Sequence, residues 1–94
     1  MENKSSFVWD PLKESSNIRK HGVDFATAAE AFMDPERKIF IDSKHSQEEP
    51  RFFCTGKVDS KILTVRFTYR YEKIRIIGAG YWRKGARYYE KRGN

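Results

Sequence analysis

Apolar residues recur at helical spacing in the first third of the chain and alternate with polar ones in the remainder. Phe25, Ala28, Ala29 and Phe32 fall at i, i+3, i+4 and i+7, which is one face of a helix. Asp24 stands at the capping position, and Asp34-Pro35 ends the run. An earlier helix is framed by Asp10-Pro11, a capping residue followed by a proline suited to the first helical position. It runs to about Lys20 and stops at His21-Gly22, where glycine accepts a left-handed backbone. Ser6 to Trp9 reads as a short strand before it.

Beyond Pro35 the period becomes that of strands. Arg37–Asp42 and Arg51–Lys57 are two of them, separated by the polar loop Ser43–Pro50. Ile62–Arg70 and Lys73–Ala79 form a hairpin about Tyr71-Glu72 that sets Tyr69 opposite Ile74 and Thr68 opposite Arg75. Leu63, Val65, Phe67 and Tyr69 then share an apolar face with Ile74 and Ile76. The opposite face carries Thr64, Arg66, Thr68, Arg70, Lys73 and Arg75, with Arg51 placed to join them. Arg83–Arg92 reads as a basic closing helix with Tyr88 or Tyr89 turned inward. The predicted order is β-α-α-β-β-β-β-α, an α+β fold. Its antiparallel sheet packs on helices through the apolar face, in a single domain over residues 1–94.

Charge sharpens this picture. Residues 1–50 carry seven Lys/Arg against ten Asp/Glu, and residues 51–94 carry twelve against three. A polyanion is the expected partner of the second half, and a basic surface suits the first. A single cysteine, Cys54, excludes an intrachain disulfide and a cysteine-rich metal site. No apolar run is long enough to span a membrane, and the opening MENKSSFVWD lacks the apolar stretch of a secretory signal. The expectation is a cytoplasmic protein with no membrane association.

The histidines are His21 and His45, and no glycine-rich phosphate loop or Ser-His-Asp arrangement stands out. What remains is Arg, Lys, His, Glu and Tyr, a set that can cleave RNA without a metal ion. A base takes the proton of the 2′-hydroxyl, the oxygen attacks phosphorus, and cations stabilise the developing charge. Composition alone does not separate this from RNA binding. His45, in the polar loop, is a candidate base or acid, or simply a solvated side chain. His21, beside Lys20, suits a helix C-terminus. Glu49, like Glu48, offers a carboxylate or a solvated loop, and Arg51, Arg66 and Arg70 offer phosphate clamps or a charged outer face. Trp82 reads as a core anchor ahead of the last helix, with base stacking as its alternative.

Four stretches together are similar to one family. Phe7-Val-Trp-Asp-Pro resembles an opening F-x-W-D-P, and Asn17-Ile-Arg-Lys-His-Gly-Val23 resembles N-x-x-K-H-G-V. Asp42 to Phe52 resembles D-x-x-H-S-x-x-E-x-R-F, and Thr68-Tyr-Arg70 with Ile74-Arg-Ile-Ile77 resembles T-x-R and I-R-I-I. These are motifs of the BrnT toxins, ribonucleases of bacterial type II toxin–antitoxin pairs with a RelE-like fold. The resemblance implies an RNA substrate, no metal or cofactor, and an antitoxin that binds DNA through a ribbon-helix-helix-type domain. The toxin would reach operator DNA only through that antitoxin, in a complex repressing its own operon.

Carried over by position, His45, Glu49, Arg51, Arg70 and Arg83 are the catalytic candidates. The RNA-binding candidates are Lys20 and His21 from the same motifs, Lys84 beside Arg83, and Arg66, Lys73 and Arg75 from the polar sheet face. The chain departs from the family where S-A-R-[RK] commonly follows I-R-I-I: here Gly80 stands in place of the usual arginine, and the basic pair comes at Arg83-Lys84. The alternative function is accordingly a catalytically inactive module that binds RNA or only its antitoxin.

Overall fold

The computed structural model describes residues 6–91. After β1 (Phe7–Trp9), the Asp10 carboxylate accepts a hydrogen bond from the Leu12 amide and starts α1 (Pro11–His21). Gly22 ends that helix with φ 71°. Asp24 caps α2 (Phe25–Glu30) through the Thr27 amide, and Glu14 of α1 accepts from the Phe25 amide. The two helices are thus joined at the free amides of α2. A 3₁₀ turn (Ala31–Met33) leads to β2 (Lys38–Ile41) and a second 3₁₀ turn (Ser43–His45). Then come β3 (Phe52–Val58), β4 (Lys61–Arg70), β5 (Lys73–Gly80) and α3 (Arg83–Glu90).

The order is the expected one and the class is α+β. The sheet runs β1-β5-β4-β3-β2 and is mixed: β1 pairs parallel with β5, while the other pairs are antiparallel. The hairpin register is as expected, with Tyr69 opposite Ile74 and Thr68 opposite Arg75. Its turn uses two non-glycine residues in the left-handed region, Tyr71 (φ 53°) and Glu72 (φ 63°). Further along, Arg66 faces Gly78 but Phe67 faces Ile76, so Ile77 forms a bulge. The bulge shifts the alternation by one, which puts Ala79 rather than Gly78 on the core side with Val65.

The core lies between α1, α2 and one face of the sheet. Phe25, Ala28 and Phe32 meet Leu63, Val65, Phe67 and Ile76, with Cys54 beneath. Edge-to-face ring contacts, Trp9 on Phe25 and Phe32 on Phe67, fix their packing.

The opposite face is only partly open, contrary to its polar reading. Thr64 and Thr68 are buried: α3 lies across this face at the Thr64 end, and the chain at Pro50 lies against Thr68. A Cβ on Gly85 would overlap the Thr64 side chain, so the approach needs glycine. Both tyrosines of α3 serve it: Tyr88 stacks on Phe40 with ring centroids 4.2 Å apart, and the Tyr89 hydroxyl donates to Asp34 Oδ2 at 2.6 Å. The Arg92 end of the expected helix lies outside the described residues.

β1 covers only the first part of β5, and beyond it the β5 edge is closed by a side chain. Asn17 donates to Ala79 O (3.0 Å) and Val23 O (2.9 Å) and accepts from Ala79 N (3.1 Å). The amide pairs with the strand as another peptide would, inside a buried site. Asn17→Leu removes both partners of Ala79 and leaves its amide and carbonyl buried and unpaired. Such groups cost about 1–3 kcal/mol each, so urea unfolding should show a loss of at least about 2 kcal/mol.

Burial works against ionisation of Asp34, yet hydrogen bonds from the Tyr89 hydroxyl and the Lys57 and Glu36 amides hold its carboxyl below the usual range. The bond to Asp34 pushes Tyr89 up to about 12 from its ordinary 10.0. The depressed Asp34 contributes stability above its ordinary 3.8 and loses it as pH falls. The raised Tyr89 contributes below 10.0 and loses it as pH climbs towards 12. A pH series of melting temperatures should therefore fall off at both ends. Tyr89→Phe should melt lower at pH 7 and show a weaker alkaline decline.

Candidate functional site

The loop between β2 and β3 is sewn to the sheet by its own polar residues. The Asp42 amide donates to Arg51 O at 2.8 Å, and the His45 amide to Asp42 O at 3.2 Å. The Ser46 hydroxyl donates to Asp42 O and accepts from the Arg51 amide, both at 2.8 Å. From β4, the Thr68 hydroxyl donates to Pro50 O at 2.6 Å. The loop is thereby held over the end of β4 where Arg70 emerges.

Between loop and strand lies an open hollow of about 600 Å³ that includes Lys44, His45, Glu49, Arg51 and Arg70. Four of the five catalytic candidates meet here. His45 Nδ1 lies 2.9 Å from Oδ2 of the buried Asp42. With that carboxylate accepting, Nδ1 is the donor, and in the neutral imidazole Nε2 then holds the lone pair. Glu49 receives Arg70 Nη2 at 2.9 and 3.2 Å. The Arg70 bond, aided by the charges of Arg70 and Arg51, holds the Glu49 carboxyl below the usual carboxylate range. Glu49 is thus a carboxylate bound to arginine, unsuited to donating a proton near neutral pH. Arg51 Nε lies 3.4 Å from Glu49 Oε2, near enough for an ion pair, but it is buried and has no hydrogen-bond partner among the described residues. That N–H is an unspent donor beside the hollow.

The other candidates lie elsewhere. Arg66 and Arg75 share the Arg70 face by register, and Lys73 pairs with Arg70 at the hairpin end. His21 packs edge-on against Trp82 beyond the far end of β5, with Lys20 next to it in the chain, so neither joins the hollow. Arg83 lines a separate depression with Lys61 and Tyr81 at the far end of β4. Lys84 turns the other way, into a groove that it shares with Lys44 and His45. Cys54 is buried in the core, which pushes its thiol up to about 12 and removes it as a nucleophile. Asp42, Lys44 and Ser46 were not among the sequence candidates. The i, i+3 spacing of Asp42 and His45 was the available signal for the first. Among the described residues no group of three His, Cys, Asp or Glu gathers as a metal site would require, and no helix is long and apolar enough to cross a membrane.

The family model described as the ribonuclease toxin, BrnT, of type II toxin-antitoxin systems matches residues 9–85. The chain belongs to the BrnT family. A search of curated proteins finds no match. The matched span takes in the whole hollow and ends inside α3, so it also covers the point of departure at Gly80. The Trp82 ring lies over that glycine, and a Cβ there would come within 2.6 Å of it. No side chain fits at position 80 while Trp82 keeps its place. Lys84, two residues after Trp82, lines the groove that His45 also lines.

Arg70 is exposed, and its ion pair with Glu49 is the kind that contributes little to stability. Arg70→Ala should change unfolding free energy by no more than about 1 kcal/mol. It should also weaken the binding of inorganic phosphate, followed by NMR shifts of the loop amides, far more than Arg66→Ala does.

Proposed function

We propose that this BrnT-family chain cleaves RNA at the loop hollow by metal-independent transfer of a phosphoryl group to the 2′-hydroxyl. The observation that carries the reading is the convergence of an Asp42-oriented imidazole with two arginines in one hollow. His45 Nε2 takes the 2′-hydroxyl proton, and the oxygen attacks phosphorus. Arg51 Nε and the Arg70 guanidinium take the charge gathering on the phosphate oxygens. The leaving 5′ oxygen is protonated from water in the open hollow. Two guanidinium groups supply the neutralisation that a metal ion would otherwise give.

Glu49 occupies the arginines in the resting chain, and the phosphate replaces it. The choice between His45 and Glu49 as base therefore falls on His45. An antitoxin with a ribbon-helix-helix-type DNA-binding domain would cover the cationic face, abolish activity and carry the complex to its operator. The free chain has no groove-reading element among the described residues, so it would bind DNA weakly and lose it with salt.

Expression without an antitoxin should arrest bacterial growth, and the purified chain should cleave RNA in EDTA. His45→Ala should lower kcat about a hundredfold or more. Glu49→Gln should leave kcat within a few-fold and lower KM, because it frees both arginines. A collapse of kcat in Glu49→Gln with normal turnover in His45→Ala would exchange their roles. Activity that disappears in EDTA and returns with a divalent ion would overturn the metal-free reading. Normal growth with intact protein present would favour the inactive module.

A further inference from the structure

A second concavity, about 550 Å³, adjoins the hollow and shares Lys44 and His45 with it. It lies on the α3 side of the sheet, and its walls differ from those of the hollow. Phe40 and Phe53 line it from the sheet, and Trp82 and Tyr88 from the chain around α3. Phe53, Phe40 and Tyr88 form a stacked series, with ring centroids 5.1 and 4.2 Å apart. Lys84 and Lys44 supply the cations. The Thr64 side chain, also in the lining, is buried, and its hydroxyl has no hydrogen-bond partner among the described residues.

We propose that this groove binds the nucleotide adjoining the cleaved linkage, with its base against the aromatic wall and its phosphate between Lys44 and Lys84. The claim rests on the RNA-cleaving reading of the hollow and adds the subsite that would give it sequence preference. Three observations favour a nucleotide. The groove is continuous with the phosphate-binding hollow at His45, so a strand crossing one enters the other. Its aromatic wall and cationic lining match the two halves of a nucleotide, since any base offers a stacking face and any phosphate a charge. Further, Trp82, whose ring lies over Gly80, adds an indole to this lining.

The test is binding, read without cleavage. A 2′-O-methyl RNA tetranucleotide, which cannot be cut, is titrated into the full chain. Fluorescence anisotropy of the labelled strand and quenching of tryptophan emission are followed. Binding is compared with an abasic tetranucleotide and with inorganic phosphate. The wild type should bind the tetranucleotide with tryptophan quenching and hold the abasic strand about tenfold less tightly, within the range of one base–aromatic stack. Lys84→Ala and Tyr88→Leu should each weaken the tetranucleotide about tenfold. Tyr88→Leu should leave inorganic phosphate unaffected, whereas Arg70→Ala should weaken both ligands. Lys84 is exposed, so its variant keeps the fold whatever becomes of Tyr88→Leu; melting temperatures confirm each.

Tetranucleotide binding that both folded variants retain in full overturns the proposal and leaves the hollow's chemistry standing. The same holds if the variants lose only antitoxin binding, which would make the groove a protein-docking site. Groove-dependent binding by a chain that cuts no RNA supports the subsite and counts against the cleavage reading. A wild type that binds no oligonucleotide overturns the subsite.

Discussion

β4 is buried on both faces over most of its length, and the rest of the molecule is arranged by that fact. Leu63, Val65 and Phe67 meet α2 and the 3₁₀ turn after it, while Thr64 and Thr68 turn to the other side and are equally buried. Threonine suits such positions: its branched carbon packs on a pleated surface, and its hydroxyl can bond locally. The Thr68 hydroxyl does so by holding Pro50 O, which places the loop. Burial stops at Tyr69 and Arg70, and the hollow under the β2–β3 loop begins there. The position of the site along the sheet is thus set by where the central strand leaves the core.

In the hollow two electrostatic arrangements coexist. Asp42, buried and bonded to His45, orients an imidazole. Glu49, more exposed, neutralises a pair of arginines that would otherwise repel each other. The first is a rigid arrangement made by a carboxylate at the base of the loop. The second is exchangeable, because an ion pair near water costs little to replace with a phosphate. Arg51 Nε, which has no hydrogen-bond partner among the described residues, is consistent with a site that completes its bonding on taking up an anion.

The α3 side shows how one local change propagates. Trp82 lies on Gly80, Gly85 lets α3 approach Thr64, and Tyr88 and Tyr89 hold its far end to Phe40 and Asp34. The helix that results puts Lys84 in the groove lined also by His45, and Arg83 in the separate depression with Lys61 and Tyr81. Two adjacent basic residues on a helix point about 100° apart, so only one of a pair can face a given groove.

Much of the fold was legible in the sequence, because its signals are local. Asp10-Pro11, Asp24 and Gly22 mark helix ends through their own backbone preferences, and the alternation from Leu63 to Ile76 sets a hairpin register. The gathering of His45, Glu49, Arg51 and Arg70 was legible through the resemblance, which preserves their spacing. Tertiary structure alone decided the remainder. Periodicity cannot report that β1 runs parallel to β5, that Ile77 bulges out, or that Asn17 closes an open strand edge sixty-two residues away. Nor can it report that α3 packs on the face carrying Arg66 and Arg70, or which of Arg83 and Lys84 lines the groove that His45 lines. Each of these depends on which surfaces meet after the chain has closed on itself, and a pattern along one strand or helix records its own faces but not what is packed against them.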